Sequence, residues 1–120
     1  VRTVLAAALV MLTATPAAAE TPSAFVLARS VDGQTQVTTT LVCDGAGSTH
    51  PRAAEACAEL RRAGGRFEAL NVKPDAICTK EYLPHTAIAL GAWQGRLVVW
   101  RKTFGNRCVM SGATGSVFDF

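Results

Sequence analysis

Several absences narrow the reading of this 120-residue chain. No apolar run reaches the ~18 residues a membrane span needs. Charged residues make up only 18%, and no block of one sign occurs, so the scattered basic residues Arg61, Arg62, Arg66, Arg96, Arg101, Lys102 and Arg107 lack the stripe a nucleic-acid surface would show. There are two histidines, His50 and His85, and neither stands in a GxSxG, HExxH or caspase-like context, which leaves no nucleophile and base for an enzyme. No CxxC spacing supports a redox site or a zinc ribbon, and no cofactor or metal site is expected. Internal repeats and low-complexity segments are missing too, and 49% hydrophobic content excludes a disordered chain.

What is present begins with an export pattern. Arg2 precedes an apolar run over 4–12, and Ala17-Ala18-Ala19 supplies small residues for cleavage, so residues 1–19 read as a secretory signal peptide and 20–120 as one mature domain. All four cysteines, Cys43, Cys57, Cys78 and Cys108, fall in that domain, where an oxidising compartment favours two disulfides. Spacing does not choose among the three possible pairings. Bridges closing loops of about 15 to 30 residues would each add about 3 to 4 kcal/mol.

Local pattern gives an α+β domain. Residues 23–30 and 36–43 read as antiparallel strands joined at Asp32-Gly33, the second alternating Val37, Thr39, Leu41 and Cys43 on one face. Thr49 or His50 is placed to cap a helix with Pro51 at its first position. In it Ala53, Cys57, Leu60 and Ala63 form the inner stripe, Arg52, Glu55, Glu59 and Arg62 the outer one, and Gly64-Gly65 the stop. Residues 77–84 have no regular period and read as an exposed loop fixed at Cys78. Strands over 85–93 and 96–104 meet at Gln94-Gly95. Leu97 and Val99 oppose Val98 and Trp100, so both faces of the last strand want burial, one against the helix and one against a partner subunit. A short helix or turn over 106–112 and a terminal strand over 115–120, with Phe118 and Phe120 on one face, complete the order.

Taken by themselves, Ser48, Ser111 and Ser116 are turn serines in glycine-rich loops, His50 is a helix-entry residue, and Lys80 is an exposed lysine. A resemblance changes the last of these. Thr21-Pro22-Ser23-Ala24, Gly47-Ser48-Thr49-His50-Pro51, Ala56-Cys57-Ala58-Glu59-Leu60, Cys78-Thr79-Lys80-Glu81-Tyr82, Trp93-Gln94-Gly95-Arg96, Phe104-Gly105-Asn106-Arg107-Cys108 and the closing Gly115-Ser116-Val117-Phe118-Asp119-Phe120 are similar to segments of the Streptomyces subtilisin inhibitor family of secreted serine protease inhibitors. The resemblance implies a five-stranded antiparallel sheet with two short helices and a homodimer formed through the sheet. It pairs Cys43 with Cys57 and Cys78 with Cys108. It places the reactive bond at Lys80-Glu81, inside a protease-contacting loop of Cys78, Thr79, Lys80, Glu81 and Tyr82. The implied partners are trypsin-like and subtilisin-like proteases met outside the cell, with neither nucleic acid nor, once the signal is removed, a membrane. Thr79 replaces a frequent proline, Glu81 puts a negative charge at P1′, and Leu83 replaces an acidic residue before Pro84. The alternative is a secreted binding protein on the same scaffold that targets a metalloprotease or inhibits nothing.

Overall fold

The alternating segments fold as two hairpins sharing one antiparallel sheet, with the connection from the second strand to the third crossing over, in the computed structural model, which describes residues 3, 4, 6–13 and 23–120. Strand β1 is Ala24–Val31, β2 Val37–Val42, β3 His85–Trp93 and β4 Arg96–Phe104, in one antiparallel sheet of order β2-β1-β3-β4. Helix α1 is Ala53–Arg62 and helix α2 is Arg107–Thr114, with a 3₁₀ turn over Phe67–Ala69 between α1 and β3. The described residues of the N-terminal segment carry neither helix nor strand, and the expected cleavage pattern Ala17-Ala18-Ala19 lies outside the described residues. No helix among the described residues is long and apolar enough to cross a membrane.

Among the described residues the sheet has four strands, not five. Residues 115–120 form successive turns: Gly115 leaves α2 with φ of 57°, and the N–H groups of Val117 and Asp119 donate to Thr114 O and Ser116 O, both at 3.1 Å. The consecutive residues Ser116, Val117 and Phe118 are all buried, whereas a strand would send alternate side chains outward. Glu59, expected on the outer face of α1, fastens this segment, its Oε2 accepting from Ser116 N–H at 2.9 Å and Ser116 Oγ at 2.8 Å.

The core lies on one face of the sheet. Phe67 is its centre, meeting Phe25 edge-on at 5.1 Å, Trp100 at 5.5 Å and Phe118 at 6.2 Å between ring centroids. Truncating a buried aromatic in such a position costs about 3 to 5 kcal/mol. Trp100 thus packs on the 3₁₀ turn and the C-terminal segment, and Val98 is half-buried against the same core. Helix α1 sits over β2, burying Ala56, Cys57 and Leu60, and Gly65 beyond it is obligatory because a Cβ there would fall 2.1 Å from the Trp93 ring.

Neither Thr49 nor Pro51 starts α1 as expected. Thr49 closes the free edge of β2, its Oγ1 accepting from Thr40 N–H at 2.9 Å, and Ser48 Oγ does the same for Val42 N–H at 2.7 Å. The helix begins two residues later, at Ala53, just beyond the point where His50 Nδ1 accepts from Arg52 N–H at 2.9 Å. That bond fixes the His50 tautomer, because Nε2 must then carry the hydrogen it donates to Val117 O at 2.9 Å. The histidine joins the helix entrance to the C-terminal segment.

The other face of the sheet is uncovered. Val26, Leu90 and Val99 lie side by side across β1, β3 and β4, with Leu97 beyond them, and Leu97 and Val99 are 79% and 72% exposed.

Candidate functional site

Residues 77–84, without helical or strand period, leave the body of the domain as an exposed connection into β3. Ile77 is 98% exposed and Tyr82 79%, and Thr79, Lys80 and Glu81 are exposed between them. A segment of this kind would normally be loose, since it buries little apolar surface. Here it is tied down at several points.

The first tie is covalent. The bridges are Cys43–Cys57, joining the end of β2 to α1, and Cys78–Cys108, joining the loop to the first turn of α2. With sequence separations of 14 and 30, they contribute about 3 and about 4 kcal/mol in the chain-entropy account. The first is buried, while Cys108 is exposed and Cys78 half-buried, so the second bridge belongs to the loop and not to the core.

The second tie is Asn106, which the sequence marked only as the start of a short helix. It is buried, and both ends of its amide are used. Oδ1 accepts from Val109 N–H at 3.0 Å and caps α2, while Nδ2 donates to Thr79 O at 3.0 Å and to Glu81 O at 2.9 Å. One side chain therefore holds the carbonyls on either side of Lys80. Because Oδ1 is fixed by the helix, Nδ2 cannot swing away without breaking the cap. A capping asparagine is legible before a helix. Its grip on residues 25 and 27 positions away is not, since nothing local encodes it.

The third set of ties closes the loop behind Tyr82. Leu83 N–H donates to Gly105 O at 2.8 Å, Pro84 O accepts from Asp32 N–H at 2.7 Å, and His85 Nδ1–H donates to Leu83 O at 2.8 Å. Asp32 is in the β1-β2 turn, beside the start of β3, so the loop's exit is fixed to that turn. His85, like His50, is thus occupied in structure. The loop spans a cleft of about 140 Å³ lined by Thr79, Glu81, Leu83, His85, Asn106 and Arg107.

Lys80 and Glu81 are thereby presented outward on a segment without helix or strand whose backbone is held on both sides. Such a loop can offer alternate side chains to a binding cleft and main-chain groups to a neighbouring strand. Among the described residues there is no cluster of three or more His, Cys, Asp or Glu side chains placed to hold a metal ion.

Known proteins resemble this chain in sequence and in fold. A family model described as subtilisin inhibitor-like matches residues 21–106. Subtilisin inhibitor-like protein 2 of Streptomyces rochei is 43% identical over 111 residues, covering 88% of this chain and 98% of that protein. Plasminostreptin of Streptomyces antifibrinolyticus is 48% identical over 75 residues, which cover 62% of this chain and 69% of the relative. Among solved structures, Streptomyces caespitosus sermetstatin in complex with Bacillus licheniformis subtilisin matches with a TM-score of 0.63 at 34% identity, covering 82% of this chain and 99% of that one. The family consists of protease inhibitors and not of enzymes, and with its family model covering most of the chain and full-length relatives well above 30% identity, the chain belongs to the subtilisin inhibitor-like family.

Proposed function

We propose that this protein is a secreted inhibitor of subtilisin-like and trypsin-like serine proteases that acts as a slowly cleaved substrate, with Lys80-Glu81 as its reactive bond. The observation that carries the reading is the Asn106 amide bonded to Thr79 O and Glu81 O, the carbonyls flanking the bond, together with the Cys78–Cys108 bridge. The structure of sermetstatin with subtilisin supports a serine protease as the partner.

In this mechanism the loop enters the protease cleft as an added strand. Cys78 takes the P3 position, Thr79 P2, Lys80 P1, Glu81 P1′ and Tyr82 P2′. Little entropy is lost on association because the loop is already held in its bound shape. The protease serine attacks the Lys80 carbonyl and an acyl-enzyme forms. The new Glu81 amine does not leave, since Asn106 keeps the Glu81 carbonyl and the hydrogen bonds from Leu83 to His85 keep the chain behind it. Effective molarities of about 10⁵ to 10⁸ M for an amine so positioned favour religation over hydrolysis. Lysine at P1 fits a pocket with a carboxylate at its base, and its methylene stem also suits a broad apolar one.

Export by way of residues 1–19 and a homodimer covering the outer sheet face belong to the same proposal. The row Val26, Leu90, Val99 with Leu97 beside it supports the dimer, since an apolar patch of this kind seeks cover. Titrating active-site-calibrated subtilisin and trypsin with the purified protein tests the reading. Loss of activity at one inhibitor subunit per enzyme is expected, and turnover that persists in large excess of the protein would refute it.

A further inference from the structure

Helix α2 meets the loop segment at both of its ends. At the N-terminal end it carries Asn106 and Cys108, described above. At the other end the last-turn carbonyls have no partner within the helix. Gly112 O accepts from Lys73 N–H at 2.7 Å and Ala113 O from Val72 N–H at 3.1 Å. Lys73 then opens a turn around Pro74-Asp75, closed by Ala76 N–H donating to Lys73 O at 3.1 Å. The chain continues through Ile77 to Cys78 and so returns, by the bridge, to the first turn of α2. Residues 72–78 form an arch with both feet on one helix.

Gly112 lies where the arch and the helix come closest. It is buried, within α2, and outside the left-handed region that would require glycine. Helix propensity favours alanine there, so the residue's use must be found in packing. A Cβ added at Gly112 would stand 3.0 Å from Ala76 Cβ and 3.5 Å from Lys73 O. Because Ala76 is exposed on its outer side and α2 is packed against the core, the arch is the partner that gives way, by a few tenths of an ångström. One foot is covalently fixed at Cys78, so the displacement passes into Ile77, the residue immediately before it.

We propose that Gly112 is a positioning residue for the reactive loop: by leaving no side chain between α2 and residues 73–76, it sets where Ile77, the residue entering the loop before the bridged Cys78, is presented to the protease. This rests on the inhibitory function proposed above. The test compares four proteins, the parent, Gly112→Ala, Ala76→Gly and the double variant, for inhibition of subtilisin and for stability to urea. A misplacement of about 1 Å costs about 100-fold in a docked reaction, so a few tenths of an ångström should weaken inhibition by about 3- to 10-fold and speed loop cleavage. The folding equilibrium of Gly112→Ala should meanwhile hold or improve, by up to about fivefold from helix propensity. A role confined to stability would move both readouts together. In the Ala76→Gly background the Gly112→Ala substitution should have no effect on inhibition, since the opposing Cβ is gone.

Inhibition by Gly112→Ala equal to the parent's, or an equal loss in both backgrounds, overturns the proposal. Should Gly112→Ala fail to fold, hydrogen exchange in the parent decides: Val72 and Lys73 amides protected as well as those of α2 support the arch, and unprotected amides overturn it. A parent that inhibits no serine protease refutes the proposed function, and the exchange and stability readings then judge the packing on their own.

Discussion

Changing Asn106 to aspartate separates the two tasks of that side chain. One carboxylate oxygen keeps the position of Oδ1 and still accepts from Val109 N–H, and a negative charge at a helix N-terminus is at least as good a cap as an amide. The other oxygen replaces the donor Nδ2 and faces Thr79 O and Glu81 O, which it cannot bond. Two hydrogen bonds with a net worth of about 0.5 to 1.5 kcal/mol each are lost, about 1 to 3 kcal/mol in all. At about 1.4 kcal/mol per tenfold, inhibition of a serine protease should weaken by about 5- to 150-fold. Electrostatic repulsion between the carboxylate and the two carbonyl oxygens pushes the loop off its platform, so cleavage at the loop should also accelerate. Asn106→Ala loses the cap as well, about 1 kcal/mol of stability, and should inhibit as poorly as the aspartate variant while unfolding at lower urea. Asn71→Ala, at an exposed asparagine away from the loop, is the control. Inhibition constants, urea midpoints and mass spectrometry of loop cleavage are the assays. A folded Asn106→Asp protein that inhibits like the parent would refute the argument, as would inhibition that falls only in step with stability.

Three more outcomes are expected. Lys80→Ala removes a charge that would pair with a buried carboxylate in a trypsin-like pocket, a loss of about 2 to 5 kcal/mol, so trypsin inhibition should weaken by about 30- to 4,000-fold while subtilisin inhibition changes far less. Lys73→Ala should change neither, because the hydrogen bonds at Lys73 come from its backbone N–H and C=O, which the substitution keeps, and equal small effects at both lysines would misplace the reactive bond. Replacing Cys78 and Cys108 together by serine should leave a folded domain, still bridged at Cys43–Cys57, that is about 4 kcal/mol less stable and is cut as an ordinary substrate; a folded double variant that resists cleavage like the parent contradicts this. Sedimentation at micromolar concentration should show a dimer that Val99→Glu converts to monomer, by placing a charge in the covered sheet face at about 1 to 3 kcal/mol or more per subunit; a parent that is monomeric rules out the sheet-face dimer.

Much of the framework was legible because its signals are local. The hairpin of β3 and β4 declared itself through alternating apolar residues around Gln94-Gly95, both of which adopt positive φ, 46° and 78°. The inner stripe of α1 and its glycine stop were readable for the same reason. The terminal strand was not a strand because two phenylalanines at i and i+2 fit a turn as well as an extended chain. What decides between them is Gly115 and the carboxylate of Glu59, a contact 57 residues distant. Thr49 looked like a helix cap, yet the open edge of β2 claimed its hydroxyl. Of the candidate site, the absence of a regular period marked residues 77–84 as a loop and the resemblance implied the bond, while the tie at Asn106 and the arch over Gly112 depend on contacts that no sequence interval announces.

The central claim is that one bond in an immobilised loop is offered to a protease and survives. Prolonged incubation of the parent with a catalytic amount of subtilisin, followed by intact-mass measurement before and after reduction, tests it most directly. The account predicts slow appearance of a single species one water heavier, held together by Cys78–Cys108 until reduced and then separating into two chains, the second beginning at Glu81. Cutting at any other bond first, or rapid degradation into many fragments, would contradict it.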